Sequence, residues 1–134
     1  MIRVLLADDH AVLLDGMRAL LAAQPGIEVV ATVSNGREAV RAAKGLRPDV
    51  VVMDIAMPEL NGIEATLQMQ DACPSTQVLI LSMHASAEHI LRALQAGARG
   101  YLLKESAGAE VADAVRAVHA GRRYLGRKIA ATVS

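Results

Sequence analysis

The sequence predicts an α/β fold in which a parallel sheet is covered by helices on both faces. Short apolar runs alternate five times with longer segments of helical periodicity. The runs 50–53 and 77–82 are almost continuously apolar, as expected of central strands buried on both faces. The chain has 134 residues, 53% of them hydrophobic, but no Trp or Phe, so its core must be built mainly from aliphatic side chains.

Turn and capping residues divide the chain into its elements. Pro25 and Gly26 end the first helix, and the spacing of Asn35 and Glu38 is that of a capping box opening the second. The predicted strands are 2–7, 27–33, 50–53, 77–82 and 100–103. The predicted helices are 11–23, 35–45, 62–72, 87–96 and 108–120.

Charge and cysteine content exclude several classes of protein. Fourteen Lys and Arg balance fourteen Asp and Glu, so we do not expect this chain to bind DNA by itself. Cys73 is the only cysteine, which rules out an internal disulfide and favours a reducing, cytoplasmic location. Acids interrupt the apolar start MIRVLLADDH, so we expect neither a signal peptide nor a membrane span.

Polar residues follow the predicted strands at the point where each strand ends. Asp8 and Asp9 follow the first strand, Asp54 the third, Ser82 ends the fourth and Lys104 follows the fifth. Taken alone, each of these residues has an ordinary explanation: Asp9 would cap a helix, and the others would be loop or surface groups. Because ligands bind beyond the carboxyl ends of strands in open parallel sheets, their joint placement predicts a functional site.

The residue types at this edge indicate phosphoryl chemistry. Two carboxylates about 4 Å apart repel by roughly 4 kcal/mol at an effective dielectric near 20, so three of them need raised pKa values or a cation. Oxygen ligands suit Mg²⁺, a carboxylate can act as nucleophile, and an ammonium and a hydroxyl can stabilise phosphoryl oxygens. The four His lack metal-ligand spacing and are predicted to be surface or packing residues.

At this point the sequence resembles the receiver domain of bacterial two-component response regulators over essentially its whole length. The matching segments are Asp8-Asp9, MDIAMPELNG around Asp54, LSMH at Ser82 and GYLLK ending at Lys104. The SMH and GYLLKE segments, with AVRAVHAGRRYL, most resemble the NarL/LuxR-type branch. The resemblance implies a CheY-like, flavodoxin-like doubly wound sheet of five strands in the order 2-1-3-4-5.

The resemblance also implies roles for individual residues. Asp54 would accept a phosphoryl group from a sensor histidine kinase, and Asp8 would complete the acidic pocket. Mg²⁺ would be bound mainly by Asp9, Asp54 and the backbone carbonyl of Ala56. Charge stabilisation would come from Lys104. The expected switch residues are Ser82 and Tyr101, while Pro58 and Gly62 shape the loop.

The resemblance finally implies a domain division and an output. Residues 1–121 would form the receiver domain, and residues 122–134 would begin a linker toward a helix-turn-helix DNA-binding domain that this chain lacks. The whole protein would then regulate transcription, as a switch that catalyses only its own phosphorylation and dephosphorylation. Exposed positions on the first, fourth and fifth helices leave homodimerisation open.

Three other functions fit the sequence less well. A phosphatase of the haloacid dehalogenase type normally has a second acid where this chain has Ala56. A flavin binder needs a phosphate cradle after the first strand, where Asp8 and Asp9 would repel a phosphate. A degenerate receiver that acts only as an interaction module would not need the complete set of site residues.

Overall fold

The computed structural model describes residues 1–132, and a parallel sheet forms its centre. The strands are Ile2–Ala7 (β1), Ile27–Val33 (β2), Val50–Asp54 (β3), Gln77–Ser82 (β4), Gly100–Leu103 (β5) and Tyr124–Leu125 (β6). Their order is β2-β1-β3-β4-β5-β6, and all neighbours are parallel. The predicted fold class and the order of its five strands are confirmed. The structure adds β6 and extends β3 by one residue, to Asp54.

Helices connect the strands and cover both faces of the sheet. They are Ala11–Ala22 (α1), Gly36–Leu46 (α2), Gly62–Ala72 (α3), Ala87–Ala96 (α4) and Ala107–His119 (α5), with 3₁₀ turns at Lys104–Ser106 and Ala130–Thr132. The predicted cap of α2 is confirmed, since the Glu38 backbone N–H donates to Asn35 Oδ1 at 2.8 Å. None of the helices in residues 1–132 is both long and apolar enough to span a membrane.

The strand β3 holds the two layers of the core together. Successive side chains of a strand point to opposite faces, so Val51 and Met53 enter one core cluster and Val50 and Val52 the other. The first cluster is completed by α2, α3 and α4, and the second by α1 and α5. All residues of β3 are buried, which makes it a rigid support for the Asp54 side chain at its end.

The segment after α5 differs from the sequence expectation, which assigned it no regular element. Tyr124 and Leu125 form β6 by pairing with Gly100 and Tyr101 of β5. Ile129 is fully buried in the same core cluster as Tyr101. The described part of the tail therefore packs against the sheet, while a domain boundary after residue 121 stays a prediction.

Candidate functional site

The carboxyl ends of four strands bring the predicted site residues to one edge of the sheet. Asp8 and Asp9 follow β1, and Asp54 is the last residue of β3. Ser82 ends β4, and Lys104 follows β5. Since β1 pairs with β2 on one side and β3 on the other, the chain changes direction here and opens a crevice at the strand ends.

The acidic residues form a close cluster in this crevice. Single oxygens of Asp8, Asp9 and Asp54, together with a ring nitrogen of His10, lie within 4.8 Å of one another. Asp8 is fully buried and Asp54 is 2% exposed, whereas Asp9 is exposed. Carboxylates this close repel one another strongly, so positive charge must compensate them.

Lys104 supplies part of this compensation from the end of β5. Its Nζ lies 2.8 Å from Asp54 Oδ2 and 3.3 Å from Asp8 Oδ2, and its side chain is only 11% exposed. Three ionised carboxylates and one ammonium still leave a formal charge of −2 when His10 is neutral. The cluster is therefore suited to a further cation.

The environment of Asp54 makes its carboxyl more basic than an ordinary aspartate. Burial raises its pKa above the usual 3.8, and the nearby charge of Asp8 raises it further. The hydrogen bond from Lys104 and the Ala56 backbone N–H, which donates to Oδ1 at 3.2 Å, oppose this increase. The effect of desolvation is the largest, so keeping Asp54 ionised costs free energy of folding. A bound cation would reduce that cost.

The buried Asp8 carboxylate gives a direct indication of where a cation would fit. Its Oδ2 atom accepts no hydrogen bond within the part of the chain that the structure describes, although Lys104 is nearby. An unsatisfied buried oxygen is costly, and carboxylate oxygens are the ligands that Mg²⁺ prefers. The arrangement of Asp8, Asp9 and Asp54 fits the predicted Mg²⁺ site, and Ala56 lines a small cavity together with Asp54.

Ser82 and Tyr101 meet through the backbone of His84. Ser82 is 1% exposed, and its Oγ accepts a hydrogen bond from the His84 N–H at 3.0 Å. Tyr101 is fully buried, and its hydroxyl donates to the His84 carbonyl at 2.8 Å. Burial raises the pKa of Tyr101, with a smaller opposing contribution from Ser82, so this hydroxyl stays a neutral donor. The two predicted switch residues thus share one short hydrogen-bonded path.

A cavity of about 130 Å³ lies beside Asp54, and Ser82 and Lys104 also line it. This is the volume of roughly four water molecules, enough for a phosphoryl group at the Asp54 carboxylate. His84 and His89 line it too, and their rings stack with centroids 4.2 Å apart. The sequence interpretation of these two histidines as surface or packing residues did not place them in the site.

His10 is the site residue that the sequence interpretation missed most clearly. It is exposed as expected, but its Nδ1 lies 2.6 Å from Lys104 Nζ and 3.1 Å from Asp8 Oδ1. Its position directly after Asp8 and Asp9 was the available signal, because that position also begins a helix at the same edge of the sheet.

The loop after Asp54 is held close to the site by Gly62. A Cβ at this position would lie 2.3 Å from the Asp54 carbonyl oxygen, and the Gly62 N–H donates to the Ile55 carbonyl at 2.8 Å. Asn61 caps α3 by accepting a hydrogen bond from the Glu64 N–H at 2.9 Å. The chain can therefore return to Asp54 and enter a helix within a few residues.

This fold and this acidic edge define the class of protein, and comparisons with known proteins give the family. The model for the response regulator receiver domain matches residues 4–116, and the chain belongs to this family. It is 44% identical over 133 residues to the transcriptional regulatory protein LiaR of Bacillus subtilis, covering 99% of this chain and 63% of the relative. It is 40% identical over 130 residues to the response regulator GacA of Pseudomonas viridiflava, covering 97% and 61%.

Solved structures support the same assignment. A LuxR-family two-component response regulator from Aurantimonas sp. SI85-9A1 has a TM-score of 0.93 at 39% identity, covering 98% of this chain and 94% of that chain. The receiver domain of a NarL response regulator from Mycobacterium tuberculosis has a TM-score of 0.87 at 32% identity, covering 90% and 98%. The predicted resemblance to the NarL/LuxR-type branch is confirmed. The predicted roles of the individual site residues stay predictions.

Proposed function

We propose that this receiver domain is a phosphorylation-dependent switch in which Asp54 accepts a phosphoryl group from the phosphohistidine of a sensor histidine kinase. The observation that carries the proposal is the buried Asp54 carboxylate with Lys104 Nζ 2.8 Å from its Oδ2, beside Asp8 Oδ2, which accepts no hydrogen bond in residues 1–132. A nucleophile, a fixed positive charge and a cation site are the parts that phosphoryl transfer requires.

In the proposed reaction a carboxylate oxygen of Asp54 attacks phosphorus. The P–N bond to the kinase imidazole breaks, and its electron pair returns to the imidazole nitrogen. The product is an aspartyl phosphate. The raised pKa of Asp54 supports this role, because a more basic carboxylate is a better nucleophile.

Asp9, Asp54 and the Ala56 carbonyl would hold Mg²⁺, with Asp8 completing the acidic pocket. The bound cation supplies charge neutralisation for the carboxylates and the phosphoryl oxygens. Lys104 contributes the second positive charge from the β5 side, where its ammonium already contacts Asp54. Its low exposure excludes water from that contact and strengthens the attraction.

The proposed switch begins at Ser82. Its oxygen accepts from the His84 N–H, and its O–H, which lies near the Tyr101 hydroxyl, would turn to donate to a phosphoryl oxygen. Movement of Ser82 toward the phosphoryl group would displace His84, and with it the partner of the Tyr101 hydroxyl. The surface formed by α4, β5 and α5 would change in consequence. Reversing a 1:99 equilibrium takes about 5.5 kcal/mol, much of which new charge-assisted hydrogen bonds can supply.

The output of this switch is proposed to be transcriptional control in the cytoplasm. Relatives named above are a transcriptional regulatory protein and a response regulator, and this chain spans 63% and 61% of their length. A helix-turn-helix domain following the receiver would supply DNA binding, which the balanced charge of this chain does not favour by itself.

Incubation with Mg²⁺ and acetyl phosphate, followed by intact-mass measurement, tests the proposal. We expect one phosphoryl adduct on the wild-type chain, none on Asp54→Asn and none when Mg²⁺ is chelated. The matched control is Asp71→Asn, which changes an exposed carboxylate on α3 and should leave the adduct intact.

Two results would contradict the proposal. Absence of an adduct on the wild-type chain would indicate an interaction module that works without phosphorylation. Turnover of a phosphate ester beyond one equivalent would indicate a phosphatase.

A further inference from the structure

We infer that residues 122–132, the strap, are held on β5 by a side-chain anchor that depends on Tyr101, and that phosphorylation of Asp54 loosens this anchor and releases the strap. The inference rests on the proposed function, because Tyr101 is a proposed switch residue. It starts from Ile129, which is fully buried and lies in the same core cluster as Tyr101.

Backbone pairing contributes only a short contact between the strap and the sheet. The strand β6 has two residues. The Tyr124 N–H donates to the Arg99 carbonyl at 3.1 Å, and the Gly126 N–H donates to the Tyr101 carbonyl at 2.9 Å. A strand this short has little stability of its own, so side-chain anchors must hold the strap in place.

Two such anchors fix the strap, one on each face of the sheet. On the α5 face, Tyr124 packs against the core cluster, and its hydroxyl donates to Glu110 Oε1 at 2.6 Å. On the opposite face, Ile129 is buried in the cluster that contains Tyr101. The Ile129 N–H donates to the Gly126 carbonyl at 3.0 Å, which closes a turn between the strand and this second anchor.

Tyr101 connects the Ile129 anchor with the phosphorylation site. Its hydroxyl donates to the His84 carbonyl at 2.8 Å, and the His84 N–H donates to Ser82 Oγ at 3.0 Å. Because buried side chains are close-packed, displacement of the Tyr101 ring changes the space that Ile129 fills. A phosphoryl group that draws Ser82 toward Asp54 therefore weakens the Ile129 anchor, while the anchor on the α5 face stays in place.

A passive cover for the edge of the sheet is the ordinary alternative. Without β6, β5 would be the edge strand, and proteins commonly cover such edges. A passive cover does not require Ile129 to be buried in the cluster that contains a switch residue. A passive strap would also stay docked after phosphorylation, so the two interpretations predict different behaviour.

Hydrogen–deuterium exchange before and after phosphorylation by acetyl phosphate and Mg²⁺ tests the inference, with the adduct followed by intact mass. We expect the Tyr124 and Gly126 amides of the wild-type chain to exchange roughly two- to tenfold faster once phosphorylated, the change in an opening equilibrium caused by losing one contact. Amides of β2, at the opposite edge of the sheet, should keep their rate. Asp54→Asn under the same treatment should show no acceleration.

Substitutions in the strap give a matched comparison. Ile129→Ala should loosen the strap without phosphorylation, so its Tyr124 and Gly126 amides should exchange at least as fast as those of the phosphorylated wild type. Ile129→Val removes less of the side chain and should give an intermediate rate. The control is Lys128→Ala, which breaks an exposed ion pair with Glu105 and should exchange like the wild type. All three variants should still form the adduct.

The outcomes separate this inference from the proposed function. Failure of the wild-type chain to form an adduct would remove both. A normal adduct with unchanged or slower exchange in the strap would overturn the inference alone. Acceleration in Asp54→Asn, or exchange in Ile129→Ala no faster than in Lys128→Ala, would also overturn it.

Discussion

Two buried carboxylates of this domain, Asp54 and Glu110, have opposite surroundings. Asp54 is 2% exposed and Glu110, on α5, is 4% exposed. Glu110 Oε1 accepts hydrogen bonds from the Tyr124 hydroxyl at 2.6 Å and from the Arg127 backbone N–H at 3.1 Å. Asp54 instead faces a second buried carboxylate, Asp8, and shares Lys104 with it. Burial alone therefore does not distinguish the proposed phosphoryl acceptor from a structural acid.

The difference lies in how completely the carboxylate oxygens are satisfied. Neutral donors around Glu110 join the tail to α5 without introducing another charge, so this carboxylate stabilises the packed structure. The Asp8–Asp54 pair retains mutual repulsion and one oxygen without a hydrogen bond in residues 1–132. Such a pair costs stability until a cation arrives. Substitutions in the two regions should therefore have effects of opposite sign.

The largest effect is expected when the acidic pair loses one charge. Asp8→Asn keeps an oxygen for the His10 N–H but removes a negative charge from the cation site. We expect the dissociation constant for Mg²⁺ to rise roughly 10–100-fold, the range found for groups that support a metal site. Isothermal titration calorimetry measures it, with Asp15→Asn on the exposed face of α1 as the control. Equal Mg²⁺ affinity in both variants would show that Asp8 does not contribute.

The second effect tests the other carboxylate. Glu110→Ala leaves the Tyr124 hydroxyl and the Arg127 N–H without their shared acceptor. We expect the free energy of unfolding to fall by about 1–3 kcal/mol, measured by urea denaturation, with the extent of phosphorylation unchanged. The control is Glu105→Ala, which breaks an exposed ion pair with Lys128 and should cost less than about 1 kcal/mol. Equal losses in the two variants would refute the distinction.

The sequence predicted most of the fold and the principal site residues for a simple physical reason. Apolar runs such as 50–53 identify buried strands, and the carboxyl ends of parallel strands meet at one edge. Residues at the carboxyl ends of those runs, including Asp54, Ser82 and Lys104, were therefore expected to lie together, and the structure brings them together. Their chemical roles depend on reactivity, which neither the pattern nor the geometry measures.

The features that the sequence did not predict depend on long-range contacts. The two residues of β6 are too few for a periodic pattern, and they are ordered by pairing with β5 and by Glu110. Asp8 and Asp9 are chemically identical neighbours, yet only the fold determines that the first is buried and the second exposed. The contact of the His10 side chain with Lys104 likewise joins residues 94 positions apart along the chain.

The third and smaller effect is a gain in the free energy of unfolding, opposite in sign to the loss expected for Glu110→Ala. Because burial and Asp8 raise the pKa of Asp54, folding favours the neutral carboxyl, and the neutral isostere in Asp54→Asn should increase the free energy of unfolding at pH 7 without Mg²⁺. The contribution of this group to stability is fully present below pH 3.8 and is lost as the pH rises through the raised pKa of the folded state. The advantage of Asp54→Asn should thus diminish on acidification, which urea denaturation at several pH values would measure. A constant difference between the two proteins would contradict the raised pKa.

The smallest effect concerns Tyr124 in the Glu110 region. Burial, the hydrogen bond to Glu110 and the charge of that carboxylate raise the pKa of Tyr124 from 10.0 to about 12. The unfolded chain then releases the tyrosine proton first, so the stability contributed by this group is complete below pH 10 and declines as the pH rises toward 12. Tyr124→Phe lacks this proton, and its deficit relative to the wild type should narrow over the same interval. Ultraviolet titration of the folded protein, with Tyr124→Phe to assign the signal from Tyr101, measures the pKa directly. A pKa near 10 for Tyr124 would mean that Glu110 does not hold the tail. It would also contradict the contrast between the surroundings of Glu110 and those of Asp54.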